Sequence, residues 1–148
     1  MGHLTLSQAW REIGRLSEWL DREERTLAIP AKLAHAVRLC LEEAVDNLIH
    51  YTSTTAEGPR IDIDLDWQGD TLVAVVCDYG PPFDPRTVRA FSPAKDLKTM
   101  QPGGWGVHLI RSYASDIDYA AGLDGNQLTL RFTGAVGRAS LQVDPGAG

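Results

Sequence analysis

Val73-Ala74-Val75-Val76-Cys77-Asp78-Tyr79-Gly80-Pro81-Pro82-Phe83-Asp84-Pro85 is the stretch on which the fold turns. Its first five residues are apolar and rich in β-branched side chains, the mark of a buried strand. Gly80, Pro81 and Pro82 then forbid continuation. A charged, Pro-containing segment follows, and then comes Pro102-Gly103-Gly104-Trp105-Gly106, running into a helical pattern of Val107, Leu109, Ile110 and Tyr113. Glycines at a helix start let backbone approach a ligand and leave N–H groups free for an anion. An acid at one end of a pocket and a phosphate cradle at the other would suit a nucleotide. Alone, a glycine turn before a helix is more often a tight connection. The Rossmann reading fails because Gly104-x-Gly106 follows a loop rather than a strand and lacks the third glycine. The Walker reading fails because no Gly-Lys-Ser/Thr occurs.

Outward from this stretch, the alternation predicts paired strands. Ile61, Ile63, Leu65 and Trp67 alternate with Asp62, Asp64 and Asp66, a half-exposed strand whose three aspartates read as solvated rather than metal-binding. Gln68-Gly69-Asp70 turns it into the 71–77 strand, a hairpin. Downstream of the helix at 107–115, Ile117-Asp118-Tyr119-Ala120, a turn at 122–125 and Gln127-Leu128-Thr129-Leu130-Arg131-Phe132 give a second hairpin. Upstream, Leu4 to Ser7 suits a short edge strand. Ser7 is placed to cap a helix over 9–24 with Trp10, Ile13, Leu16 and Leu20 on one face. Pro30 ends it. A second helix over 31–51 carries the stripe Val37, Leu41, Ala44, Val45 and Leu48. Glu43 and Asn47 lie one turn apart on a flank away from that stripe, with His50 near them. Spacing alone favours plain surface residues there; a functional role needs a pocket beside the flank. The order helix, helix, hairpin, helix, hairpin predicts an α+β two-layer sandwich, a mixed or antiparallel sheet with helices on one face.

The 148 residues make one domain over 1–133, with a Gly- and Ala-rich tail over 134–148 read as flexible. A composition of 43% hydrophobic and 23% charged residues is that of a globular chain. A net charge of -6 argues against non-specific nucleic-acid binding, which rests on basic patches, but not against one bound nucleotide. Cys40 and Cys77 fall in apolar segments without CxxC spacing and read as buried thiols. No signal peptide or long apolar run is seen, so no membrane is expected and the chain is placed in the cytoplasm.

Three separated segments together resemble the histidine-kinase-like ATPases (the Bergerat fold), which include DNA gyrase, a heat-shock chaperone and bacterial histidine kinases. Within them the chain looks most like the compact anti-sigma-factor serine/threonine kinases. Glu43-Ala44-Val45-Asp46-Asn47 is similar to E-x-x-x-N, and Asp78 to Pro85 to D-x-G-x-x-F-D-P. Gly103 to Arg111 resembles G-G-x-G-[IV]-H-L-[IV]-R, and Asn126-Gln127-Leu128-Thr129-Leu130 the last strand, N-x-L-T-L. The match covers roughly residues 5–133, and its motifs are jointly more specific than any one.

The resemblance implies a site for ATP and Mg²⁺. Asn47 would hold the metal with a hard amide oxygen. Asp78 would accept a hydrogen bond from the adenine amino group, with Gly80 letting the ring lie against backbone. Phe83, Gly103, Gly104, Trp105, Gly106, Val107 and Thr129 complete the implied nucleotide contacts, and Glu43 would be the general base. Arg86, Arg89, Lys95 and Lys98 are lid cations available to phosphate. His108 and Arg111 are assigned to the helix exterior or a partner. Gly125-Asn126 stands where gyrase-like members have Gly-Thr, and Asn126 is given less weight. The implied activity is a protein-serine/threonine kinase that phosphorylates an antagonist protein and sequesters a sigma factor, as a homodimer. The alternative is a non-catalytic, nucleotide-gated binding module of the same fold, which would not need Glu43.

Overall fold

The structure, a computed structural model, describes residues 2–52, 59–81, 110 and 113–133, with backbone alone for 51 and 52. Five strands and two long helices occupy them: β1 (Gly2–Leu6), α1 (Ala9–Thr26), α2 (Ala31–Thr52), β2 (Ile61–Gln68), β3 (Thr71–Asp78), β4 (Asp116–Gly122) and β5 (Gly125–Thr133). Ile110 and Tyr113, ahead of β4, are helical, and the Ala114 N–H donates to the Ile110 carbonyl at 3.0 Å. The sheet order is β1-β2-β3-β5-β4. Every described pairing is antiparallel, so the sheet resolves to the antiparallel alternative.

Alternation decides which face is covered. Leu4 and Leu6, Ile61, Ile63 and Leu65, Leu72, Ala74 and Val76, and Leu128, Leu130 and Phe132 enter one core with both helices. Burying each such side chain contributes about 1.5–3 kcal/mol. The result is the expected α+β sandwich. The β2–β3 turn uses Gly69 at φ 63, a conformation glycine adopts without a steric penalty.

Two local expectations change. Helix α1 buries Leu16, Trp19 and Leu20 after Ala9, while Trp10 and Ile13 are exposed. Trp10 and Trp19 are nine positions apart, about 180° around a helix of 3.6 residues per turn, so one face cannot bury both. Ser7 does not cap the helix: the N-cap is Gln8, without a side-chain cap, and Glu12 Oε1 instead accepts from the Gln8 N–H at 3.1 Å. The start is pinned by the Ala9 N–H, which donates to the Pro59 carbonyl at 2.9 Å. Asp62, expected to be solvated, is buried on the face of the sheet turned from the helices. Its carboxylate accepts from Thr5 Oγ1 at 2.6 Å, Tyr79 OH at 2.7 Å and Arg60 Nε at 3.2 Å. Those donors hold its pKa below the usual carboxylate value against burial, the largest single influence, which works the other way.

Candidate functional site

Helix α2 is buried over a wide arc, because the sheet lies against it and Ile110 closes on it from the side. Asn47 sits inside that arc, between Val45 and Leu48, and is only 2% exposed. The flank position read from the helical stripe is therefore corrected: Asn47 is interior. Among the described residues neither its Oδ1 nor its Nδ2 has a hydrogen-bond partner. An amide buried this way costs about 1–3 kcal/mol, and such groups call for an explanation.

Asp78 ends β3 and is 3% exposed. Its Oδ2 accepts from the Gly80 N–H at 3.1 Å and from Asn126 Nδ2 at 3.3 Å. The same Nδ2 donates to the Gly80 carbonyl at 2.8 Å. Burial pushes the Asp78 pKa up, and the Gly80 and Asn126 donors offset part of that rise. Asn126 pairs directly with Asp78 across β3 and β5 and is 4% exposed. Gly125 makes this approach possible. Its φ is 118, and a Cβ there would sit 2.8 Å from the Asp78 carbonyl oxygen and 2.9 Å from the Tyr79 ring.

Asn47 and Asp78, far apart in sequence, line one narrow cleft walled by Val76, Leu128, Ile110 and Tyr119. The cleft is mostly apolar, with one amide and one carboxylate among its lining groups. Glu43 lies one turn before Asn47, half-buried, and its pKa is raised by burial first and then by Asp46 and Glu42. That shift makes its carboxylate a stronger base than that of an exposed glutamate. His50 is committed to its own helix, donating from Nδ1 to the Asp46 carbonyl at 2.9 Å. Thr129 does not join the cleft. It is registered between Val75 and Asp118, while its neighbours Leu128 and Leu130 face the core, which places it on the other face of the sheet.

Asn126, given less weight in the motif comparison, is brought against Asp78 and Gly80 by the β3–β5 pairing. Counting back by two from Leu128 puts it on the core face, a signal present in the sequence. Phe83, Gly103, Gly104, Trp105, Gly106, Val107, the lid cations Arg86, Arg89, Lys95 and Lys98, His108 and Arg111, and the tail over 134–148 lie outside the described residues. Among the described residues no three His, Cys, Asp or Glu side chains gather as a metal site. The orphaned oxygen of Asn47 is the donor that fits Mg²⁺, which takes few protein ligands beside phosphate and water. No described helix is long and apolar enough to cross a membrane.

Residues 6–132 match the family described as the histidine kinase-like ATPase domain. The chain is 29% identical over 114 residues to the serine/threonine-protein kinase BtrW of Bordetella bronchiseptica, a match spanning 76% of this chain and 79% of that one. Two solved structures share the fold. The catalytic domain of the histidine kinase ThkA is 15% identical, with a TM-score of 0.52 and coverage of 90% of this chain and 98% of that one. The RsbU and RsbW domains of Rv1364c from Mycobacterium tuberculosis are 18% identical, with a TM-score of 0.50 over 90% of this chain. The chain spans about a third (32%) of that longer protein.

Proposed function

The chain belongs to the histidine kinase-like ATPase domain family, and from that premise we propose that it binds ATP with Mg²⁺ and phosphorylates a serine or threonine of a small antagonist protein, sequestering a sigma factor otherwise. One observation carries the reading: the buried amide of Asn47, unpartnered among the described residues, lines the same cleft as the buried carboxylate of Asp78. Both groups are costly in the free protein and both have a use once a nucleotide is bound. Asp78 would accept from the exocyclic amine of adenine. Asn47 Oδ1 would hold Mg²⁺, which supplies neutralisation of phosphate charge when bound. Glu43, one helical turn away, would take the proton from the attacking hydroxyl; its raised pKa makes it a stronger base than an exposed glutamate. The similarity to BtrW, a protein named as a serine/threonine kinase, supports the choice of acceptor. A homodimer in the cytoplasm is part of the same reading.

The test is direct. Purified protein with Mg²⁺ and labelled ATP should bind nucleotide and pass label to the antagonist protein, and Asn47→Ala should lose both. A chain that binds neither ATP nor ADP at millimolar concentration would end the proposal.

A further inference from the structure

The strand ladders on both sides of β3 end at Asp78, which pairs with Ile61 on β2 and with Asn126 on β5. Past that point side-chain bonds hold the chain. From the helix-covered face, Asp78 Oδ2 accepts the Gly80 N–H and Asn126 Nδ2 donates to the Gly80 carbonyl. Tyr79 goes the other way. Side chains alternate across a strand, so Tyr79 and Arg60, the next residues beyond the Ile61–Asp78 pair, share the face of Cys77 and Asp62. There the Tyr79 hydroxyl donates to Asp62 Oδ2 at 2.7 Å, a bond strengthened by the charge on its acceptor. Donating to that carboxylate raises the Tyr79 pKa above the ordinary phenol value. The Arg60 guanidinium lies 6.0 Å from the centre of the ring, within cation–π range. The ring edge meets Gly125, where a Cβ would come within 2.9 Å of Tyr79 Cδ1.

Burial does not hold this ring, which is 54% exposed. Asp62 is the fixed end of the pair: it is 8% exposed and also receives Thr5 Oγ1 at 2.6 Å and Arg60 Nε at 3.2 Å. We propose that Asp62 and Tyr79 are positioning residues for the nucleotide site: from the face of the sheet turned away from the helices, the Asp62 carboxylate anchors the Tyr79 hydroxyl and so holds the Asp78–Gly80 turn in the shape that binds. This rests on the proposal that the cleft takes a nucleotide, and it adds that the site is supported through the sheet, by groups on its far side. A turn free to rearrange spends part of its time in shapes that cannot bind, and the apparent affinity falls by that fraction.

Tyr79→Phe removes one oxygen and leaves the ring beside Arg60 and Gly125. With Mg²⁺ present, ADP should bind this variant roughly three- to tenfold more weakly, as when the competent turn falls to between a third and a tenth of molecules. In the free protein the Gly80 amide proton should exchange with solvent several-fold faster than in the parent, which reads the turn without any ligand. Asp62→Ala should weaken ADP by a similar factor, and the Tyr79→Phe/Asp62→Ala double variant should bind no more weakly than the worse single one, because both changes break the same bond. If Asp62→Ala does not fold, Asp62→Asn keeps an acceptor without the charge and should show a smaller loss of the same kind. Thr5→Val removes another donor to Asp62 and leaves the Tyr79 bond in place, so it should lower the melting temperature while ADP affinity stays near the parent's. A folded Tyr79→Phe protein with the parent's ADP affinity would overturn the inference even if it melts lower, since a purely structural bond moves only the melting temperature. Losses that add in full in the double variant would overturn it too, as would an equal loss in Thr5→Val. A parent protein that binds neither ATP nor ADP would sink the nucleotide reading and this inference with it, and the parent's own titration tells that failure from the others.

Discussion

Asn47→Leu should make the free protein more stable and the nucleotide-loaded protein less so. Leucine has the same branched outline as asparagine but carries no polar atoms. The parent buries both ends of the Asn47 amide without a described partner. Relieving that should return about 1–3 kcal/mol, and the better helix propensity of leucine adds a few tenths. The slightly larger side chain has the adjoining cleft to expand into, which limits overpacking. For a chain of 148 residues, roughly 3 °C of melting temperature corresponds to 1 kcal/mol, so a rise of about 3–9 °C is expected.

Adding Mg²⁺ and ADP at a hundred times the dissociation constant should stabilise the parent by about 2.7 kcal/mol through mass action, and the variant by almost nothing. The melting order should therefore close or reverse when ligand is added, and EDTA should restore it. Thermal melts with and without ligand check both halves. A variant less stable than the parent would show that the amide has a structural partner, and the energetic argument would fail. A variant with the parent's ligand-induced shift would remove Asn47 from the site.

Glu43→Gln should leave ADP affinity within about twofold and lower phosphoryl transfer by roughly 10²–10⁴, read as label on the antagonist protein; transfer at the parental rate would refute the base assignment and favour the nucleotide-gated binding module. Because the active form of Glu43 is the carboxylate and its pKa is raised, transfer should climb as pH rises through a midpoint above the ordinary glutamate value, and that limb should vanish in Glu43→Gln. Gly125→Ala forces a Cβ to 2.8 Å from the Asp78 carbonyl oxygen at φ 118 and should cost about 1–3 kcal/mol in denaturant titration; an unchanged midpoint would mean that the β3–β5 approach is looser than described. The Cys40 thiol, pushed up to about 12 by burial and then by Glu43, should resist thiol reagents until the protein unfolds; rapid labelling of a folded Cys77→Ser variant would refute it.

Local pattern and long-range packing divide what was legible in the chain. Both hairpins could be read because alternation and a turn glycine are local signals, and the Leu128/Leu130 alternation also carried the correct facing of Thr129 and Asn126. Matching N-x-L-T-L as a string obscured that, since it treats neighbours on opposite faces of a strand as one motif. The burial of Asn47 was not legible. A helix stripe shows which residues face one surface, whereas α2 is covered by the sheet and by Ile110 at once. Asp62 failed for a related reason: its shelter comes from Thr5 on β1 and Tyr79 beyond β3, contacts made only after the sheet assembles. The choice between Trp10 and Trp19 was set by helix geometry, but which of them faced inward depended on the packing partner.

Three departures from ordinary folding rules gather around this cleft, while buried Asp62, the buried Glu23 Oε1 and Ala28 at φ 51 lie apart from it. Asn47 is a buried amide unsatisfied among the described residues, Asp78 a carboxylate whose burial raises its pKa, and Gly125 a strained approach that only glycine permits, set hard against the Asp78 backbone. The sign of the Asp78 effect makes the point independently of ligand. A folded-state pKa above the unfolded one means that charged Asp78 disfavours the fold; the penalty is full above the folded pKa and relieved below the unfolded one. Asp78→Asn removes that charge while keeping an acceptor for the Gly80 and Asn126 donors, so it should stabilise the free protein at neutral pH in the same assay in which it loses ADP. Two substitutions on different elements, α2 and β3, would then each trade binding for stability. A surface that merely happened to be polar would not behave so, because removing its groups would leave stability unchanged or lower it.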